Sequence, residues 1–156
     1  MSPYRLLVAA AVVLALVALL LRYEQHAHAP AVVADPVRTP GVLDPDVTQA
    51  TIGATVCVAG WTRTIRPSTE YTNALKRRQM RAYRETGAVS AYQEDHLISL
   101  ELGGHPSDPR NLWPEPYPRA AQVDMIENDL NRQVCDGSLT LAEAQIRESA
   151  LKHSEG

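Results

Sequence analysis

The chain has no surplus of positive charge. Its 156 residues carry 15 Lys and Arg against 18 Asp and Glu, a formal net charge of −3, which excludes a protein held on nucleic acid by overall charge alone. Cysteine is almost absent: Cys57 and Cys135 are the only two, and without a Cys-x-x-Cys pair they make a poor structural zinc site. No segment repeats another, and neither a recognition helix nor a zinc finger stands out, so no device for reading bases is evident. The N-terminal apolar run, Leu6 to Leu21, lacks both a polar face and a helical period, which sets it apart from a core helix.

That run (LLVAAAVVLALVALLL) lies between Arg5 and Arg22. As a helix it would span about 24 Å, short of a hydrocarbon layer of about 30 Å but long for the apolar part of a signal peptide. Both readings, signal peptide and membrane anchor, make residues 1–34 a segment that engages the membrane or the export machinery. They place the remainder in the periplasm, tethered to the inner membrane or secreted after cleavage. Small-residue cleavage patterns follow at Ala27-His28-Ala29 and Val32-Val33-Ala34, and Pro30 directly after the first makes the second the better candidate.

Residues 26–46 are rich in Ala, Val, Pro and Asp without a period, and 35–46 are expected to be a linker, with the folded domain running over 47–156. The apolar fraction of 45% includes the leader, so this domain is more polar than the average and sustains one modest core. Export favours a disulfide between Cys57 and Cys135, because oxidising compartments keep thiols paired; metal ligation is the alternative reading.

Within the domain, Ile52 to Trp61 (IGATVCVAGW) has the β-branched and small residues of a short strand or extended arm. Ser68 or Thr69 is placed to cap a helix through about Arg84, with Gly87 as its stop. Tyr92 to Leu102 reads as extended, Gly103-Gly104 and the Pro-bounded stretch to Pro109 as turn, and Asn111-Leu112-Trp113 as a short second strand. Val123, Ile126, Leu130 and Val134 recur at three and four, which predicts an amphipathic helix over Arg119 to Val134 ended by Asp136-Gly137. A last helix is expected after Thr140, whose Thr-Leu-Ala-Glu start matches a capping box and whose inner face is Leu141, Ala144, Ile146 and Leu151.

Charge is unevenly spread. Between positions 63 and 84 stand Arg63, Arg66, Lys76, Arg77, Arg78, Arg81 and Arg84, against the single acid Glu70. Such a stretch suits a phosphate backbone contacted without reading sequence, or else a solvated helix rich in arginine. It is followed by Tyr92 to Pro116 (YQEDHLISLELGGHPSDPRNLWPEP), where a histidine, an adjacent carboxylate and an asparagine gather. Hydrolysis of a phosphodiester needs an activated water, a cation beside the phosphate and something to hold the base.

Glu94-Asp95-His96-Leu97, Gly103-Gly104 and Asn111-Leu112 resemble the Asp-His, Gly-Gly and Asn-Leu landmarks of HNH endonucleases, also called His-Me finger or ββα-metal nucleases. Trp113-Pro114-Glu115-Pro116 and Leu141-Ala142-Glu143-Ala144-Gln145 are similar to a bacterial exported branch of that group, so the resemblance runs from about Val47 through Gln145. It implies an α+β fold: a small ββα-metal core with additional flanking helices, behind the export segment. It implies too that His96 deprotonates the attacking water, Asp95 reaches the metal and Asn111 fixes the loop bearing His96. Adjacent strand residues point apart, so a bend or bulge is expected to bring Asp95 and His96 to one site.

The remaining metal ligands are expected on the next helix, at Glu127 and Asn131, four residues apart on one face; Asp124 and Asn128 form a second such pair. The resemblance implies histidine where Asn131 stands. An amide oxygen suits a hard cation, so the implied cofactor is a divalent ion, Mg²⁺ ahead of Mn²⁺, Ni²⁺ or Zn²⁺. The expected partner is nucleic acid, DNA in preference to RNA, cut with little sequence specificity. The alternative is a noncatalytic envelope module of the same fold that binds nucleic acid or a protein partner. His105 and His153 are expected to be exposed and idle, and Trp113 to be a core or hinge aromatic.

Overall fold

The computed structural model describes residues 11–20 and 33–154, and the chain divides into two units, Met1–Ala31 and Val32–Gly156. In the first unit residues 11–20 are helical with exposed side chains. Among the described residues no helix is long and apolar enough to cross a membrane. The rest of the apolar run and the Ala27–Ala29 cleavage pattern lie outside the described residues.

The second unit is α+β, a two-stranded antiparallel sheet with helices. Gly60, at φ 81°, turns the chain into α1 (Trp61–Ile65), and Pro67 resets it before α2 (Thr69–Tyr83). Ser68 caps α2 by accepting from the Tyr71 amide at 3.2 Å, as its position before an acidic first turn predicts. The helix ends where expected, capped by Arg84 in the left-handed conformation at φ 59°. Gly87 instead makes room for an aromatic ring, since a Cβ there would lie 2.9 Å from the Tyr92 side chain.

Strands β1 (Tyr92–His96) and β2 (Leu112–Pro116) pair in unbroken register, with Asp95 opposite Trp113 and His96 opposite Leu112. Pro114 and Pro116 are compatible because this sheet has only two strands and each has an unpaired edge. Helix α3 (Tyr117–Cys135) follows directly and stops near Gly137 at φ 83°, and α4 (Leu141–Lys152) starts from the complete Thr140–Glu143 capping box. The described residues after β1 thus run strand, loop, strand, helix, helix.

Two apolar clusters hold these elements. Val47, Val56, Ile98, Leu102, Leu130, Val134, Leu139, Leu141 and Ala144 form the larger, and Ala34, Leu97 and Trp113, with Tyr83 against them, the smaller. Cys57 and Cys135 are disulfide-bonded across a separation of 78 residues, tying the turn before α1 to the end of α3.

Three expectations change. Ile52 to Trp61 is not a strand: Ile52–Ala54 is a 3₁₀ turn, and the backbone bonds close locally, Thr55 and Cys57 amides both donating to Ile52 O. Its apolar residues Ile52, Val56 and Cys57 pack in or against the larger cluster from these turns instead. Residues 35–46 are no linker. Thr39 is fully buried, Gly41 N donates to Arg110 O, Leu43 bridges Gly104, and Ala34 N donates to Lys152 O. This stretch has no period because its backbone, not a face of side chains, makes the contacts. On α4, Ile146 is 69% exposed, and the inner face is Leu141, Ala144, Glu148 and Lys152.

Candidate active site

His96 is the last residue of β1 and 6% exposed. Its Nε2 lies 2.9 Å from the Pro106 carbonyl oxygen. A carbonyl only accepts, so Nε2 carries the hydrogen and Nδ1 keeps its lone pair. Burial pushes the imidazole pKa below its ordinary value, against the Pro106 carbonyl and the Asp95 carboxylate, so the ring is neutral at pH 7.

The loop that supplies Pro106 is held by Asn111. Its Oδ1 accepts from Ile98 N at 3.0 Å, and its Nδ2 donates to Ile98 O at 3.0 Å and His105 O at 3.1 Å. Gly103 takes φ 77°, and a Cβ on Gly104 would come within 1.8 Å of Ile98 O. Gly-Gly is therefore required where the loop doubles back on the end of β1. His105 is not idle, since its Nδ1 accepts from the Ser107 and Asp108 amides at 3.2 and 3.0 Å. His153 sits within 2.9 Å of Thr39 O and helps seat the N-terminal stretch.

A polar cavity of about 470 Å³ opens beside His96. Gln93 and Asp95 line it from β1, Glu101 from the loop, Asp124, Glu127 and Asn128 from α3, and Thr62 and Arg66 from the α1 side. Asp95 and His96 both reach it with no bulge in β1, because the cavity surrounds the end of that strand. The Asp124 and Asn128 pair faces the cavity, whereas Asn131 does not: its Nδ2 donates to Val56 O at 3.2 Å and Glu101 O at 2.7 Å.

Beneath the cavity lies a group that sequence reasoning missed. Lys152 is fully buried, and its Nζ contacts Asp95 Oδ2 at 2.9 Å, Glu148 Oε1 at 3.4 Å, Glu127 Oε1 and the His96 carbonyl oxygen. Burial opposes its charge, but the carboxylates of Asp95, Glu127 and Glu148 hold its pKa well above the usual lysine value. Burial also acts to raise Asp95, yet Lys152 and a hydrogen bond with Glu115 outweigh it and keep Asp95 ionised. Glu127 and Glu148 are raised by burial, and Glu115 is pushed up to about 8 by burial and then by Asp95. One ammonium thus serves a ring of buried carboxyl groups, and burial raises the proton affinity of Glu115, Glu127 and Glu148.

A divalent ion does not fit the expected ligand set of Asp95, Glu127 and Asn131. Lys152 takes an oxygen of each of the first two, and the third turns its amide to backbone carbonyls. Among the described residues no group of three or more His, Cys, Asp and Glu side chains is disposed to hold a metal.

The basic stretch divides. Arg66 lines the cavity, and its charge is felt at His96, Glu101 and Asp124. Lys76 is buried and donates to Tyr92 O at 2.7 Å, tying α2 to β1, so it is no phosphate ligand. Arg63, Arg77, Arg78, Arg81 and Arg84 lie outside the cavity lining. Signals for the missed residues were present. Glu148 and Lys152 continue the spacing of Leu141 and Ala144, and Glu115 stands two residues from buried Trp113 and so shares its face of β2.

Comparison of the chain with protein-family models, curated proteins and solved structures gives no match.

Proposed function

We propose that this chain is a nucleic-acid phosphodiesterase of the HNH type, with His96 as general base, and that it acts outside the cytoplasm. The observation that carries the reading is the His96 ring: fixed through Nε2 on Pro106, neutral with Nδ1 unprotonated, on a residue that lines a polar cavity. Nδ1 takes a proton from a water that attacks phosphorus in line, while the Arg66 guanidinium pairs with a non-bridging phosphate oxygen. The leaving 3′ oxygen takes its proton from solvent water in the same cavity. No step passes through a metal. The Cys57–Cys135 disulfide and the apolar leader support an exported, periplasmic location. DNA is favoured over RNA, with Arg63, Arg77, Arg78, Arg81 and Arg84 offering charge without sequence reading.

The test is cleavage of plasmid DNA and of RNA by the full chain and by His96→Ala and Arg66→Ala. Loss of His96 is expected to lower the rate by about 10²-fold or more with an unchanged circular dichroism spectrum. Equal cleavage by His96→Ala sinks the assignment. The noncatalytic module is the second reading, favoured by Asn131 being engaged by carbonyls. DNA binding by a parent chain that cuts neither substrate, with or without Mg²⁺, would select it.

A further inference from the structure

We propose that Lys152 is the resident cation of this site: its tethered ammonium fills the cradle of Asp95, Glu127 and Glu148 and closes it to divalent metal. The claim concerns occupancy of the cradle and stands whether or not the site cleaves nucleic acid.

The cradle is a place for a cation by construction. Oxygens converge on it from the end of β1, from α3 and from α4, and all three carboxylate residues are buried. An ammonium has three N–H donors, and the oxygens of Asp95, Glu127 and His96 supply three acceptors around Nζ, with Glu148 Oε1 at 3.4 Å completing the shell. A divalent ion needs the same oxygens at about 2.0–2.6 Å. It would have to expel a lysine that is 0% exposed and strand its charge.

Nor is Lys152 free to leave. Its backbone oxygen accepts from Ala34 N at 3.0 Å, and Arg119 Nη2 clamps the adjoining turn through Leu151 O at 2.7 Å and Ser154 O at 2.9 Å. The end of α4 is thereby pinned from both sides, with the lysine stem directed inward.

The experiment is thermal unfolding and calorimetry of the full chain with MgCl2 and MnCl2, for the parent, Lys152→Met, and Asp95→Asn and Glu127→Gln. The parent is expected to show no Tm change attributable to the cradle. Lys152→Met, which empties it of charge and leaves the carboxylates, is expected to gain Mn²⁺ binding and a rise of about 5 °C or more in Tm at saturating ion. Parent binding that disappears in Asp95→Asn or Glu127→Gln overturns the proposal; parent binding that persists in both places the ion elsewhere and upholds it. A folded Lys152→Met that gains no metal also overturns it. Should Lys152→Met fail to fold, the parent and the two carboxylate variants still decide between the outcomes.

Discussion

In the base role proposed for His96, the bond to Pro106 O fixes Nε2 as the donor and leaves Nδ1 its lone pair. Because its pKa lies below the ordinary histidine value, the neutral form dominates above pH 6.5. The pH profile of kcat/KM is accordingly expected to rise on the acid side below that value and to be flat through neutrality. A rising limb centred above pH 7 would contradict the assignment. Glu94 behaves in the opposite sense. Burial pushes its carboxyl to about 8, and neither oxygen has a hydrogen-bond partner. Between its unfolded pKa near 4.5 and its folded value near 8 the folded state binds the extra proton, so stability is full below the first and falls as pH rises to the second. Glu94→Gln should therefore raise Tm at pH 9 relative to the parent and change it little at pH 4.5, as read by thermal unfolding at both values. Asn111→Ala removes three hydrogen bonds, two of them buried, and is expected to cost about 3 kcal/mol in urea unfolding.

At the scale of elements, the loop between β1 and β2 is where backbone geometry outranks side-chain chemistry. Gly104→Ala places a Cβ on the Ile98 carbonyl, a contact with backbone that no rotamer relieves. A loss of about 3 kcal/mol or more is expected, larger than for Gly53→Ala, where the new Cβ meets nothing. The disulfide joins the turn before α1 to the end of α3 around 78 residues. Loop-closure entropy sets an upper value of about 4.5 kcal/mol for such a crosslink, so Cys57→Ser with Cys135→Ser should unfold at lower urea by up to that amount. Helices α2, α3 and α4 were legible because their caps and periods are local: Ser68, the Val123–Val134 spacing and the Thr140 box each act within a few residues. The turn at Ile52–Ala54 was not, because its β-branched residues suit a strand and only the packing of Ile52 against the larger cluster decides against it.

For the domain as a whole, the N-terminal stretch is part of the fold. Ala34 is fully buried with Leu97 and Trp113, and its amide holds the end of α4. Cleavage after Ala34, the preferred pattern in the sequence, would delete that contact. A chain shortened to begin at Asp35 is expected to lose about 1–2 kcal/mol relative to one beginning at Val33, through one buried methyl and one backbone bond.

Within Tyr92 to Pro116 the sequence alone located the local geometry. Asp-His, Gly-Gly and Asn are short-range instructions for a strand end, a tight return and a clamp, and they act among neighbours. Which cation stands against Asp95 was beyond it, since Lys152 lies 57 positions away and only the packing of α4 on β1 and α3 brings it there. Its arrival was hidden because a lysine near a chain end reads as solvated. Burial among carboxylates, a property of the assembled tertiary structure, turns the same ammonium into the centre of the site.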